Sequence, residues 1–193
     1  MRVITLNVNG IRSAAAKGLF PWLARQDADV VCLQEVRAHE HQFDGHDIDL
    51  PGYHAAYYPA ERPGYAGVAL YSRHKPERVV RGFGVTEFDH EGRYLEAQFP
   101  GLSVISLYLP SGSSGPERQA SKFRFLESFM PTCGASAVAA ARRSCAATGT
   151  SPTSRSILRT GSRTRRTPAS CLKSGPGSTR CSTVRVSWMP FAA

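Results

Sequence analysis

The feature that most limits what this 193-residue chain can build is a change of composition near Pro131. All 15 acidic residues lie at or before Glu127, and beyond Pro131 there is no Asp, Glu, His, Asn, Gln or Tyr. The C-terminal segment is mainly Ala, Arg, Ser, Thr, Gly and Pro, with too few large apolar residues to offset the entropy of ordering the chain. The sequence therefore predicts a folded part over 1–130 and a basic, low-complexity tail over 131–193 that is largely disordered and has no packed core. The formal charge of +9 belongs to that tail. Ten of the 24 Lys and Arg residues come after Glu127, which leaves 14 basic against 15 acidic residues before it, a net of −1. A basic excess ordinarily attracts a polyanion; its confinement to the tail removes that argument from the folded part.

From Val3 to Met130 short apolar runs alternate with turn signals, as in strands joined by loops and helices. Arg2–Val8 reads as a strand, Lys17–Arg25 as a short helix, and Asp29–Leu33 as an apolar strand, a β-α-β opening. Further strands are predicted at Tyr53–Tyr58, Gly67–Ser72, Arg78–Phe83, Arg93–Phe99 and Ser103–Leu109, and Glu117–Phe129 has helical spacing. Strands dominate, so the fold class is α/β or α+β. Cys32, Cys133, Cys145, Cys171 and Cys181 are odd in number and show no C-x-x-C spacing, which indicates neither a zinc knuckle nor a disulfide framework. No run approaches the roughly 20 apolar residues of a membrane span, and the start turns polar too soon for a signal peptide. The expectation is a soluble, cytoplasmic monomer.

Asn7 ends the first strand in L-N-V-N-G-I-R, and Glu35 ends the second in V-V-C-L-Q-E. If these strands are parallel, as a β-α-β unit requires, the two polar groups leave the sheet at the same end. A carboxylate and an amide there could bind Mg²⁺ or Mn²⁺, which take one or two carboxylates and complete their shell with water and phosphate. The alternative is that Asn7 caps a turn and Glu35 is solvated. Tyr108, in S-L-Y-L-P-S-G, also ends an apolar strand. Its phenol could bond a phosphate oxygen or assist proton movement, or serve only in packing.

Taken together and in order, N-V-N-G-I-R, L-Q-E, G-Y-A-G-V-A-L, G-R-Y-L-E-A and Y-L-P-S-G resemble the exodeoxyribonuclease III family, over about the first 130 residues. L-Q-E is shared with the wider superfamily that includes sphingomyelinases and inositol polyphosphate phosphatases; N-G-I-R favours the DNA-repair branch. The resemblance implies an α/β fold, the first half of a four-layer α/β sandwich of the endonuclease/exonuclease/phosphatase type. It also implies Mg²⁺ or Mn²⁺ dependence, with double-stranded DNA bearing abasic sites or 3′ ends as substrate, cut as a 3′ to 5′ exonuclease and abasic-site endonuclease. By motif position Asn7 and Glu35 match the family's metal-site residues, and Tyr108 its active-site tyrosine. The family's G-D-W-N and S-D-H motifs lie further on and are absent here. On this reading the missing half also provides the second sheet, leaving the apolar face of the first one bare.

The tail becomes intelligible as the family's gene in the wrong frame. A coding sequence for C-A-A-T-G-T-S-P-T, residues 145–153, gives C-G-D-W-N-I-A-H when read one base over, and the same shift turns T-R-R-T-P-A-S-C-L into N-Q-K-N-S-G-F-L. A one-base slip between about Phe129 and Arg143 accounts for both. Thr148 and Thr150 then stand where the catalytic Asp and Asn are expected, and neither can act as a carboxylate base. The chain is therefore expected to be inactive. Two other readings are a phosphoesterase of the same superfamily acting on lipids or inositol phosphates, and a non-enzymatic fragment that binds nucleic acid through its Arg-rich tail.

Overall fold

The computed structural model describes residues 1–111, 115–135, 142–148 and 185–186, with side chains over 1–111 and 115–132. The elements are β1 (Arg2–Asn7), α1 (Ile11–Ala16), α2 (Leu19–Ala24), β2 (Val30–Gln34), β3 (His54–Tyr58), β4 (Val68–Ser72), β5 (Arg78–Arg81), α3 (Thr86–Asp89), β6 (Tyr94–Phe99), β7 (Leu102–Tyr108), α4 (Pro116–Ala135), β8 (Arg142–Thr148) and β9 (Arg185–Val186). A 3₁₀ turn covers Glu40–Gln42.

Two sheets form, with orders β3-β4-β2-β1-β9 and β5-β6-β7-β8. β1 and β2 are parallel, with Asn7 opposite Gln34, so the β-α-β expectation holds and both strands end on the same side. β2 lies in the interior of its sheet and is buried along its whole length, which is why it reads as an unbroken apolar run rather than an alternation. β6 and β7 form a hairpin in which Phe99 faces Leu102 across Pro100 and Gly101. Gly101 turns the chain at φ 68°, a conformation glycine adopts without the clash a side chain would cause.

Alternating side chains divide the core into three tiers. One face of the first sheet presents Ile4, Val31, Leu33, Ala69 and Tyr71 to Ile11, Leu19, Phe20 and Leu23 of α1 and α2. Its other face presents Val3, Val30, Cys32, Val68 and Leu70 to Leu95, Ala97, Val104 and Tyr108 of the second sheet. The outer face of that second sheet packs Tyr94, Ile105 and Leu107 against Phe88 of α3 and Phe125 and Phe129 of α4. The layers run helix, sheet, sheet, helix.

This corrects one expectation. The second sheet is not supplied by a missing half: β5, β6 and β7 build it from residues before 109, and the inner face of the first sheet is covered. The reason is local. Strands adjacent in sequence pair as antiparallel neighbours, so three consecutive short strands make a sheet without help from distant chain. The helix expected at Lys17–Arg25 is α2, and an additional helix, α1, precedes it; Gly18, in the left-handed conformation at φ 84°, separates the two. Within the stretch read as a tail, α4 continues to Ala135, β8 pairs with β7, and β9 pairs with β1. The rest of the tail reading lies outside the described residues. Among the described residues no helix is long and apolar enough to cross a membrane.

Candidate active site

The ends of β1, β2 and β7 meet at one edge of the sandwich. Glu35 comes directly after β2 and is 5% exposed. It turns off the strand in the left-handed region at φ 56°, where Gly10 N–H donates to its carbonyl at 2.7 Å. Asn9, Arg37 and Ala66, in the loops around it, also have positive φ, at 46°, 54° and 36°. A non-glycine residue held in that region costs on the order of 1–3 kcal/mol, and such residues gather where a site requires them.

The Glu35 carboxylate is gripped from two sides. The Tyr108 hydroxyl, from the other sheet, donates to Oε1. Arg37 Nη2 lies 3.2 Å from Oε2. The Glu35–Tyr108 pair, 73 residues apart in sequence, is the meeting of two strand-end residues that the sequence singled out separately. Burial, and next the bond to Glu35, push the Tyr108 phenol above its ordinary pKa, against a smaller lowering by Arg93. The phenol therefore stays protonated and donating through the neutral range.

Asn7 stands at the end of β1, exposed, and its Oδ1 accepts the backbone N–H of Asn9 at 3.0 Å. It makes the turn-capping contact that was its alternative reading, through an amide oxygen that can accept two bonds. One carboxylate and one amide oxygen are the donors a hard divalent cation takes from protein. They are a partial set. Among the described residues no three His, Cys, Asp or Glu side chains converge to hold a metal ion.

Sequence reasoning missed Arg93, Tyr65 and Gln34 as parts of this site. Arg93 is 3% exposed. Its guanidinium lies 4.8 Å from the centre of the Tyr108 ring, donates through Nη1 to the Tyr108 carbonyl at 3.2 Å and through Nη2 to the Tyr65 hydroxyl at 3.0 Å, and pairs with Glu91. A stacked guanidinium with a fixed fork of donors holds a neighbouring ring more rigidly than an ammonium could. The available signal was a charged residue opening an apolar strand. Beside this cluster lies a cleft of about 530 Å³, lined by Arg62, Tyr65, Arg93, Ser111, Arg118 and Arg124 among others, which does not include Asn7, Glu35 or Tyr108.

Comparison with known proteins bears on this arrangement. Residues 4–170 match the Endonuclease/Exonuclease/phosphatase family. The chain is 37% identical over 119 residues to an exodeoxyribonuclease of Bacillus subtilis strain 168, covering 61% of this chain and 46% of that protein. To exodeoxyribonuclease III of Haemophilus influenzae it is 32% identical over 118 residues, covering 59% and 43%. To the DNA repair nuclease APEX1 of Danio rerio it is 32% identical over 117 residues, covering 60% and 38%. An AP endonuclease structure from Archaeoglobus fulgidus superposes with a TM-score of 0.65 at 29% identity, over 75% of this chain and 55% of that one. The chain thus spans less than half the length of these curated relatives.

Proposed function

The chain belongs to the Endonuclease/Exonuclease/phosphatase family, and on that premise we propose that it carries the first half of a DNA-repair phosphodiesterase that cuts double-stranded DNA at abasic sites and 3′ ends, and that with its present C-terminal sequence it is inactive. The observation that carries the reading is the Glu35–Tyr108 contact, which joins a carboxylate and a phenol from two sheets at the ends of their strands. The relatives named as exodeoxyribonucleases and a DNA repair nuclease favour DNA over lipid or inositol phosphate as substrate.

In this proposal Glu35 and Asn7 hold a Mg²⁺ or Mn²⁺ ion, which when bound neutralises charge on the scissile phosphate. Arg37 pairs with the Glu35 carboxylate through Oε2. Tyr108 presents its hydroxyl beside that carboxylate, with Arg93 fixing its ring. Hydrolysis further requires a group that orients and deprotonates the attacking water, and the loss of such a group costs about 10² to 10⁴ in rate. The register of β8 supports the out-of-frame reading at this point. Thr148 lies opposite Tyr108, so the backbone sets at the level of the tyrosine the position where the shifted frame carries an Asp. A threonine there cannot serve as a carboxylate base.

The test is cleavage of a duplex bearing one abasic site in Mg²⁺, with EDTA as control, comparing the present chain with a version restored by one base. The restored protein is expected to cut and the present chain not to. Metal-dependent cleavage by the purified present chain would overturn the assignment of inactivity.

A further inference from the structure

Between the two sheets, among apolar neighbours, runs a chain of buried hydrogen bonds. Thr5 Oγ1 donates to Gln34 Oε1 at 3.2 Å, Gln34 Nε2 donates to Ser106 Oγ at 3.2 Å, and Ser106 Oγ donates to the Leu33 carbonyl at 3.4 Å. Gln34 and Ser106 are both 0% exposed. The chain ties β1 and β2 of the first sheet to β7 of the second.

Its place in the register matters. Gln34 is the residue before Glu35, and Ser106 is two residues before Tyr108 on the same face of β7. The polar bridge therefore sits one pleat repeat, roughly 7 Å, below the Glu35–Tyr108 contact. Apolar packing between sheets is non-directional and tolerates small slides. A hydrogen bond in a dry interior does not, because stretching it leaves a buried amide unpaired. The Gln34 backbone is held as well, its carbonyl accepting Val8 N–H at 2.9 Å just before the chain turns at Glu35.

We infer that Gln34 is a positioning residue, whose buried bridge to Ser106 sets the offset of the two sheets and thereby brings the Tyr108 hydroxyl onto the Glu35 carboxylate. The Leu33 carbonyl takes the one Ser106 proton, so Ser106 Oγ accepts from the Gln34 nitrogen, which leaves the amide oxygen facing the Thr5 hydroxyl. The catalytic meaning of this role rests on the reading of Glu35 as a metal ligand, but the contact itself can be tested without metal or substrate.

The experiment uses the full chain with 3-fluorotyrosine placed at position 108 and, in a second sample, at position 94. Tyr94 is also buried, on the opposite face of the second sheet, and donates to Glu96 at 2.6 Å. The ¹⁹F line of Tyr108 is expected to move in Glu35→Gln, which marks the contact. In Gln34→Met and in Ser106→Ala it should move in the same direction while the Tyr94 line stays in place, and Ser106→Thr, which keeps the hydroxyl, should leave it near its original position. A Tyr108 line unmoved in Gln34→Met and Ser106→Ala would overturn the proposal. So would lines at 94 and 108 that shift together, which would report general loosening, or a Glu35→Gln that leaves Tyr108 unaffected. If Gln34→Met does not fold, Ser106→Ala, which removes one atom, decides alone. Metal titration of Glu35→Gln is a separate readout, so failure of the positioning role and failure of the metal-ligand reading are distinguishable.

Discussion

At the scale of single residues, Glu35 combines a left-handed backbone and two side-chain partners with burial, which a solvated surface acid lacks. If it holds the cation, Glu35→Gln in the frame-restored protein should weaken Mg²⁺ binding and nuclease activity together, because an amide keeps the shape and loses the charge. Calorimetric titration beside the cleavage assay checks this, and unchanged metal affinity would reject the assignment. Cys32 gives a second residue-scale expectation. It is fully buried between the sheets, and burial pushes its thiol from 9.0 up to about 12. A raised pKa in the folded state means that the stabilisation is complete below the unfolded value and is lost as pH rises towards the folded one. Stability should therefore fall from pH 9 upward, by as much as about 1.4 kcal/mol per pH unit from this group. Cys32→Ala should lower stability overall and flatten that slope between pH 9 and 10, as read by urea unfolding; an unaltered slope would exclude the thiol as its source.

At the scale of elements, the helices on the outer faces attach through few but large side chains. α4 docks through Phe125, which is 0% exposed and lies with ring centres 5.4 Å from Phe83, 4.9 Å from Phe88 and 6.0 Å from Phe129. Removing that ring leaves a cavity that neighbouring helices fill poorly. Phe125→Ala should cost about 3–5 kcal/mol in chemical unfolding. The exposed Phe123 on the same helix, 54% accessible, should tolerate alanine with little change, which makes it the control. The seven strands up to Tyr108 were legible in sequence to within a residue or two, since their apolar runs are bounded by turn residues, whereas β8 and β9 fall in the stretch read as a tail. α1 and α3 were not: Ile11–Ala16 has one large apolar residue and Thr86–Asp89 is a single turn, so neither shows a helical period, and both pack on the apolar face of the sheet below them.

At the scale of the whole molecule, composition divides the chain more sharply than its length suggests. A broad-specificity protease should remove the small-residue, Arg-rich stretch first and leave a resistant fragment ending before Gly149, with its mass read by spectrometry. A resistant product reaching Ala193 would contradict the division at about Pro131. The sequence by itself determined the strands up to Tyr108, the parallel β1–β2 opening, the change of character after Pro131, and the three strand-end residues Asn7, Glu35 and Tyr108, because each is a local pattern of polarity and turn chemistry. Only the tertiary structure decided that strands of both sheets are already present before residue 109, that Tyr108 reaches Glu35 across 73 residues, and that Arg93 and Gln34 belong to the same arrangement. Pairing between distant strands depends on how two sheets stack. A sequence records which side chains share a face of one strand, whereas which face meets which is set by packing that the whole chain completes together.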